Sequence, residues 1–501
     1  MNLVTAAYAA ALACLVAAPP APAQERATAP PTVPSAGPAP LAADPAVRDA
    51  LARLDVWLEG QRYRLDLPGF AVGVVHDQQL LWSKGYGYAD VARRIPSTDQ
   101  TLYRIASISK TFAATAVVQL AERGKLSLHD PVSRHLKWFA PGDSTLAAPA
   151  RVWNLLSHSA GLQREVPGSD WDALVSPDAE SIEAATRDTP LVLPPQTRLA
   201  YSNYGYAVAG QLVRQVSGLP YAKYLRDNVL EPLGMTATDV LDGRETRPGL
   251  AVPYGRRRLD GPRAIEQQMP RSDAFDSVGA LVSSVSDLAK WASFQFRDSD
   301  ANTGPVLTGA SLRDMHRPHF LLSDWSQGWG LGWRLTRNDA GARIDHGGSL
   351  PGYRSSLLLD PSSRVAVILL MNADDGPREM SAGILKLVAE PIRRAAASSP
   401  AAPALSTDLA RFAGLYRDRF GGQVYVLAVT GGLQLLDPEV ADIEASAVML
   451  RQTGPASFVT ESPPGSITRA VASRVQFTLD EGGQAASFTM DDGAYRYRRV
   501  R

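Results

Sequence analysis

The chain has 501 residues, 45% of them hydrophobic and 20% charged, enough for a large buried core and more than one domain. Lysine plus arginine and aspartate plus glutamate balance at 51 each, so the whole-chain charge points neither to nucleic acid nor to an anionic membrane surface. Binding either would take a local patch, and the sequence displays none.

The first residues, MNLVTAAYAAALACLVAAPPAPAQ, hold an apolar run too short to span a bilayer, followed by Ala21-Pro22-Ala23, which fits the A-x-A rule for signal peptidase. Residues 1–23 are therefore expected to be a signal peptide, leaving a periplasmic or secreted chain without a transmembrane segment. The only cysteine, Cys14, lies inside it, and Ala11-Leu12-Ala13 is a poor lipoprotein signal. A chain cleaved after Ala23 has no cysteine, which excludes disulfides, thiolate metal sites and cysteine nucleophiles. Gln24 to Asp44 is alanine and proline with few large apolar residues, and reads as a flexible spacer.

A folded domain is expected over 45–392. FAVGVVHDQQLLWSKGYG, Phe70 to Gly87, reads as a β-hairpin turning at His76-Asp77-Gln78, and Tyr353 to Asn372 as a second, turning at Asp360 to Ser363. Helical patterns lie between them: Thr111 to Arg123 stopped by Gly124, Gly205 to Ser217 stopped by Gly218, and Asp287 to Phe296 after a cap at Ser286. Strands at both ends with helices between do not alternate as β-α-β units. They imply an antiparallel sheet with helices packed on it, class α+β. Arg393 to Ser406, RRAAASSPAAPALS, reads as a linker. Beyond it, in 407–501, short apolar runs (Val424–Val429, Leu433–Leu436, Val475–Leu479, Ala485–Met490) are separated by glycine turns, as hairpins closing into a small barrel.

The stretch IASISK puts Ser107 and Lys110 three positions apart, on one face of a helix. A serine hydroxyl needs a base, and an amine whose pKa is lowered by burial can serve. Alone the spacing is a weak signal. Two further motifs follow in order: Y-x-N (Tyr201, Ser202, Asn203) and H-G-G (His346, Gly347, Gly348). Together, and with the phrases YRIASISKTF, LLSHSAGL, YSNYGYAVAGQLV, GALVSSVSDLAKW and HGGSLPGYRS, they resemble the serine β-lactamase and penicillin-binding-protein superfamily, in its class C and D-Ala-D-Ala carboxypeptidase-like branch. The likeness runs from about Val56 to Asn372.

That resemblance implies Ser107 as the nucleophile carrying an acyl group, with Lys110 and Tyr201 sharing proton transfer. It further implies an oxyanion hole from the backbone N–H groups of Ser107 and Ser349, beside Gly348, and an Asn203 that hydrogen-bonds the substrate or the lysine. A cation near Tyr201 favours its phenolate, so either proton-transfer group could be poised near neutral pH. His158 is taken as structural. His346 stands where β-lactamases carry the lysine of K-T-G, and a mostly neutral imidazole holds a β-lactam carboxylate less well. An esterase or D-amino-acid peptidase acting on a small-molecule or peptide substrate is therefore expected ahead of a β-lactamase. The rival class is a penicillin-recognising sensor without turnover, or an inactive relative whose lipocalin-like barrel binds a ligand. No cofactor is implied, and His316 and His319 are too isolated for a metal site.

Overall fold

The structure, a computed structural model, describes residues 41–140, 149–241, 247–268, 272–297, 304, 306–338, 341–374, 376–397, 408–461 and 473–500. The expected signal peptide, and all but the last four residues of the expected spacer, lie outside the described residues.

Nine strands form the central sheet: β1 (Gly69–His76), β2 (Gln79–Asp90), β3 (Ile95–Pro96), β4 (Phe320–Leu321), β5 (Gln327–Trp329), β6 (Arg334–Asn338), β7 (Gly341–Leu350), β8 (Tyr353–Asp360) and β9 (Val365–Met371). Their order is β3-β2-β1-β9-β8-β7-β6-β5-β4, antiparallel throughout. Both expected hairpins are present. The register Phe70↔Met371 to His76↔Val365 ties them together at the centre of the sheet.

Strands β1 and β9 are nearly unbroken apolar runs because both faces are covered. Phe70, Val72, Val74, Val367 and Leu369 face α1 (Pro45–Arg64) and the C-terminal helix Pro377–Ala397. Ala71, Val75, Ala366, Ile368 and Leu370 face a second layer containing α2 (Ser109–Glu122), α3 (Asn203–Ser217) and α4 (Val285–Gln295). The period-2 alternation of a strand sorts its side chains between the two cores. Glycine ends α2 and α3 as expected, Gly124 and Gly218 taking φ of 67° and 73°.

Two expected boundaries differ. Helix α4 is capped by Ser284 rather than Ser286, because the Ser284 hydroxyl accepts the Asp287 N–H at 3.2 Å while Ser286 reaches sideways to Asp99 and Gln100. The C-terminal helix, α5 (Pro377–Ala397), carries through the first five residues of the expected linker, where Arg393 and Arg394 both pair with Glu390. The remainder of the linker, 398–406, lies outside the described residues.

A closed antiparallel barrel follows, of β10 (Gly414–Arg417), β11 (Gln423–Val429), β12 (Gly432–Leu436), β13 (Val448–Gly454), β14 (Ser457–Glu461), β15 (Arg474–Leu479), β16 (Ala485–Met490) and β17 (Tyr495–Arg499). Its interior is filled by Phe412, Tyr416, Phe458, Phe477 and Phe488, with ring centroids 4.8–6.1 Å apart. The barrel docks on α1 and α5. Trp57 Nε1 and Gln61 Nε2 donate to the Val440 carbonyl, and Lys386 pairs with Asp442 at 2.8 Å. Gly60 permits this approach: a Cβ there would sit 2.0 Å from the Pro438 carbonyl oxygen. Among the described residues no helix is long and apolar enough to cross a membrane.

Candidate active site

The 3-10 turn Ala106–Ile108 leads directly into α2. From Thr101 to Leu120 every residue is buried except Ser107, which is half-buried and lines a cleft. Ala106 just before it holds φ at 48°, a left-handed conformation that costs a non-glycine residue about 1–2 kcal/mol. Such strain persists only where surrounding packing enforces it. One helical turn on, Lys110 is fully buried, with Nζ 3.1 Å from Ser107 Oγ and donating to the Val278 carbonyl at 2.9 Å. Burial lowers its pKa to about 7, with Glu165 pulling the other way. Ser109, the other serine of the stretch, is buried and accepts the Leu281 N–H.

Tyr201 lies two residues before α3. Ser202, the cap of that helix, accepts the Gly205 N–H at 2.9 Å and donates its hydroxyl to the Gln163 carbonyl at 2.6 Å. The Tyr201 ring stacks on His158 at 4.2 Å and sits 5.3 Å from Lys110 Nζ, and its phenol is hydrogen-bonded to the Ser107 side chain. The expected mutual tuning is one-sided. Burial outweighs the other influences and raises Tyr201 to about 12, so the phenol keeps its proton while Lys110 is the group poised near neutrality.

Asn203 opens α3, and its Nδ2 donates to both oxygens of Glu165, at 3.1 and 2.9 Å. A carboxylate only accepts, which fixes the amide orientation and leaves Asn203 Oδ1 as a buried acceptor without a partner. His346 lies on β7, with Nδ1 2.8 Å from the Gly347 carbonyl oxygen. A carbonyl also only accepts, so Nδ1 carries the proton and the partnerless Nε2 is a second acceptor. Burial, aided by Lys110, lowers His346 to about 3 and keeps it neutral. The next residue but one, Gly348, brings β7 against the serine turn: a Cβ there would lie 2.2 Å from the Ile105 carbonyl oxygen and from Ser355 Oγ. Ser355 Oγ in turn donates to that carbonyl at 2.8 Å.

Six of the seven residues singled out in the sequence (Ser107, Tyr201, Asn203, His346, Gly348 and Ser349) therefore line one cleft, with Lys110 beneath its floor. Sequence reasoning missed Glu165, which orients Asn203, and Trp329, which packs 5.7 Å from both Tyr201 and His346. Neither carries a spacing that marks it. His158, taken as structural, accepts the Ser202 N–H at 3.0 Å and supports the Tyr201 ring. His316 and His319 bond Gln295 and Asp314 instead. Among the described residues no group of three or more His, Cys, Asp or Glu could hold a metal ion.

Gly348→Ala tests the close approach. The added methyl must push β7 from the serine turn, an overpacking that costs about 1–3 kcal/mol, and ester turnover should fall at least tenfold. A variant with unchanged melting temperature and turnover would show that the contact does not set the site.

The family model described as Beta-lactamase matches residues 48–390. Protein flp of Staphylococcus aureus (strain MRSA252) is 26% identical over 325 residues, which are 65% of this chain and 63% of that protein. Penicillin-binding protein 4 of Amycolatopsis lactamdurans is 28% identical over 383 residues, covering 74% of this chain and 93% of that one. Among solved structures, the octameric penicillin-binding protein homologue from Pyrococcus abyssi superposes with a TM-score of 0.59 at 23% identity, over 89% of this chain and 99% of that chain. EstCE1, a hydrolase with promiscuous acyltransferase activity, superposes with a TM-score of 0.57 at 22% identity, over 70% of this chain and all of that chain. At these identities the structural matches show the fold alone.

Proposed function

The chain belongs to the Beta-lactamase family, and we propose that it is an exported serine hydrolase acting through an acyl-enzyme on an ester, amide or peptide bond. One observation carries the reading: a buried amine with a pKa of about 7 lies 3.1 Å from the single accessible side chain of an otherwise buried segment. Neutral Lys110 takes the Ser107 proton as Oγ attacks the substrate carbonyl. The oxyanion is held by the N–H groups of Ser107 and Ser349, and the closeness of β7 at Gly348 supports that pairing. The proton on Lys110 then passes through the Tyr201 hydroxyl to the leaving group, and a water molecule repeats the sequence to release the acyl group.

Neutrality of His346 favours an esterase or D-amino-acid peptidase over a β-lactamase. Its Nε2 and Asn203 Oδ1 are both acceptors, which suit a substrate that brings hydrogen-bond donors and repel a carboxylate. Solved structures titled as a hydrolase with promiscuous acyltransferase activity and as a D-stereospecific amidohydrolase share the fold. The filled barrel interior favours an accessory role for that domain over a ligand store.

Intact mass after exposure to an activated short-chain ester should show one acyl adduct that decays, and Ser107→Ala should show none while remaining folded by circular dichroism. An adduct retained by Ser107→Ala would refute the assignment of the nucleophile. Benzylpenicillin should turn over far more slowly than the ester.

The pH profile follows from Lys110. Its folded pKa is lowered from 10.5 to about 7, so the competent neutral amine is lost as pH falls below 7. The specificity constant kcat/KM should rise about tenfold per unit up to pH 7 and then level off, with no descending limb in the range where Tyr201 stays protonated. A flat profile between pH 5 and 7 would contradict the assignment of Lys110 as the base.

A further inference from the structure

Closing the barrel assembles a charged surface that the sequence hides. Strand β17 pairs with β10 so that Arg498 stands directly opposite Arg417, and both are exposed. Like charges facing each other across an antiparallel pair destabilise it, so this arrangement is retained against its own cost. The outward row continues to Ser487 on one side and to Gln423 on the other, which donates to Glu439 at 3.3 Å. Arg496, two residues along the same face of β17, is opposite Thr489. The loop leaving β10 adds Arg419, whose guanidinium lies 4.4 Å from the Phe420 ring centre.

None of these four arginines has an ion pair among the described residues, whereas the exposed Arg451 and Arg474 pair with Glu461 and Asp492, and the partly buried Arg411 with Asp408. The nearby acid Asp418 is engaged by the backbone N–H groups of Phe420 and Gly422. Phe420, beside Arg419, is 80% exposed, and Tyr495, on the face of β17 that carries Tyr497, is 58% exposed at the start of the strand. Neither ring belongs to the barrel's interior, which is filled by others.

We propose that this corner of the barrel docks on a bilayer surface carrying anionic phospholipid headgroups. Guanidinium groups pair with phosphate in forked geometry, and aromatic rings beside them settle at the headgroup level, a combination that suits a charged interface with apolar depth. The expectation from sequence that no local basic patch exists is thereby corrected: Arg417 and Arg498 come from the two ends of the barrel's sequence, and only ring closure makes them neighbours.

The test is co-sedimentation of the full chain with vesicles of phosphatidylcholine, alone or mixed with phosphatidylglycerol, at low and high salt. Binding should appear with the mixed vesicles, fade with salt, and drop about thirtyfold in Arg417→Gln/Arg498→Gln, at about fivefold for each charge near the surface. Phe420→Ser should weaken it as well, while Arg451→Gln should not, and small-ester turnover should stay at the level of the unmodified chain in all three. Removing facing like charges relieves repulsion, so the double variant should melt no lower than the parent. Equal binding to both vesicle types, or no loss in the double variant, would overturn the proposal. Preferential binding of a single-stranded oligonucleotide that strips the chain from mixed vesicles would also overturn it, in favour of a nucleic-acid surface.

Discussion

The arrangement of the whole cleft depends on an amine buried where it cannot comfortably carry charge. Lys110 sits inside the helical layer, and among the described residues its hydrogen-bond partners are a hydroxyl and a carbonyl, with no carboxylate. Desolvation therefore decides its protonation state, and Glu165 only moderates the result. The surrounding titratable groups are tuned in consequence. The proximity of Lys110 helps keep His346 and His158 neutral, and burial keeps Tyr201 protonated.

Holding that amine against Ser107 takes three separate parts of the chain. The 3-10 turn and the start of α2 supply the serine and the lysine, α3 delivers Tyr201 and Asn203 from a serine cap, and β7 closes the site through Gly348. The strained φ at Ala106 lies where these parts meet. The central sheet makes the meeting possible because β1 and β9, from the two ends of the catalytic region, pair at its centre and fix the distance between the layers.

Much of this was readable beforehand, for identifiable reasons. Hairpins and glycine-stopped helices are local, so the period-2 runs at Phe70 and Tyr353 and the stops at Gly124 and Gly218 announced themselves. The three motifs named the cleft because they are short and ordered along the chain. What escaped was tertiary. Glu165 orients Asn203 from 38 positions away, and nothing in REVPGS signals it. The balance between Lys110 and Tyr201 could not be settled from residue types, since it depends on how deeply each is buried. The cap of α4 reads as Ser286 in the sequence, and only the sideways partners of Ser286 and the bond from the Asp287 N–H to Ser284 show that it lies two residues earlier. The facing arginines of the barrel belong to the same class, being a product of register rather than of spacing.

The central claim is the protonation state of Lys110, and it can be observed without substrate. The chain has seven lysines, few enough for 13C-labelled lysine to give resolvable Cε signals, with Lys110→Arg identifying the one of interest. The account predicts that the Lys110 signal titrates near 7. A Lys110 signal titrating at its ordinary 10.5 would mean that Lys110 is a cation at neutral pH and cannot take the proton from Ser107.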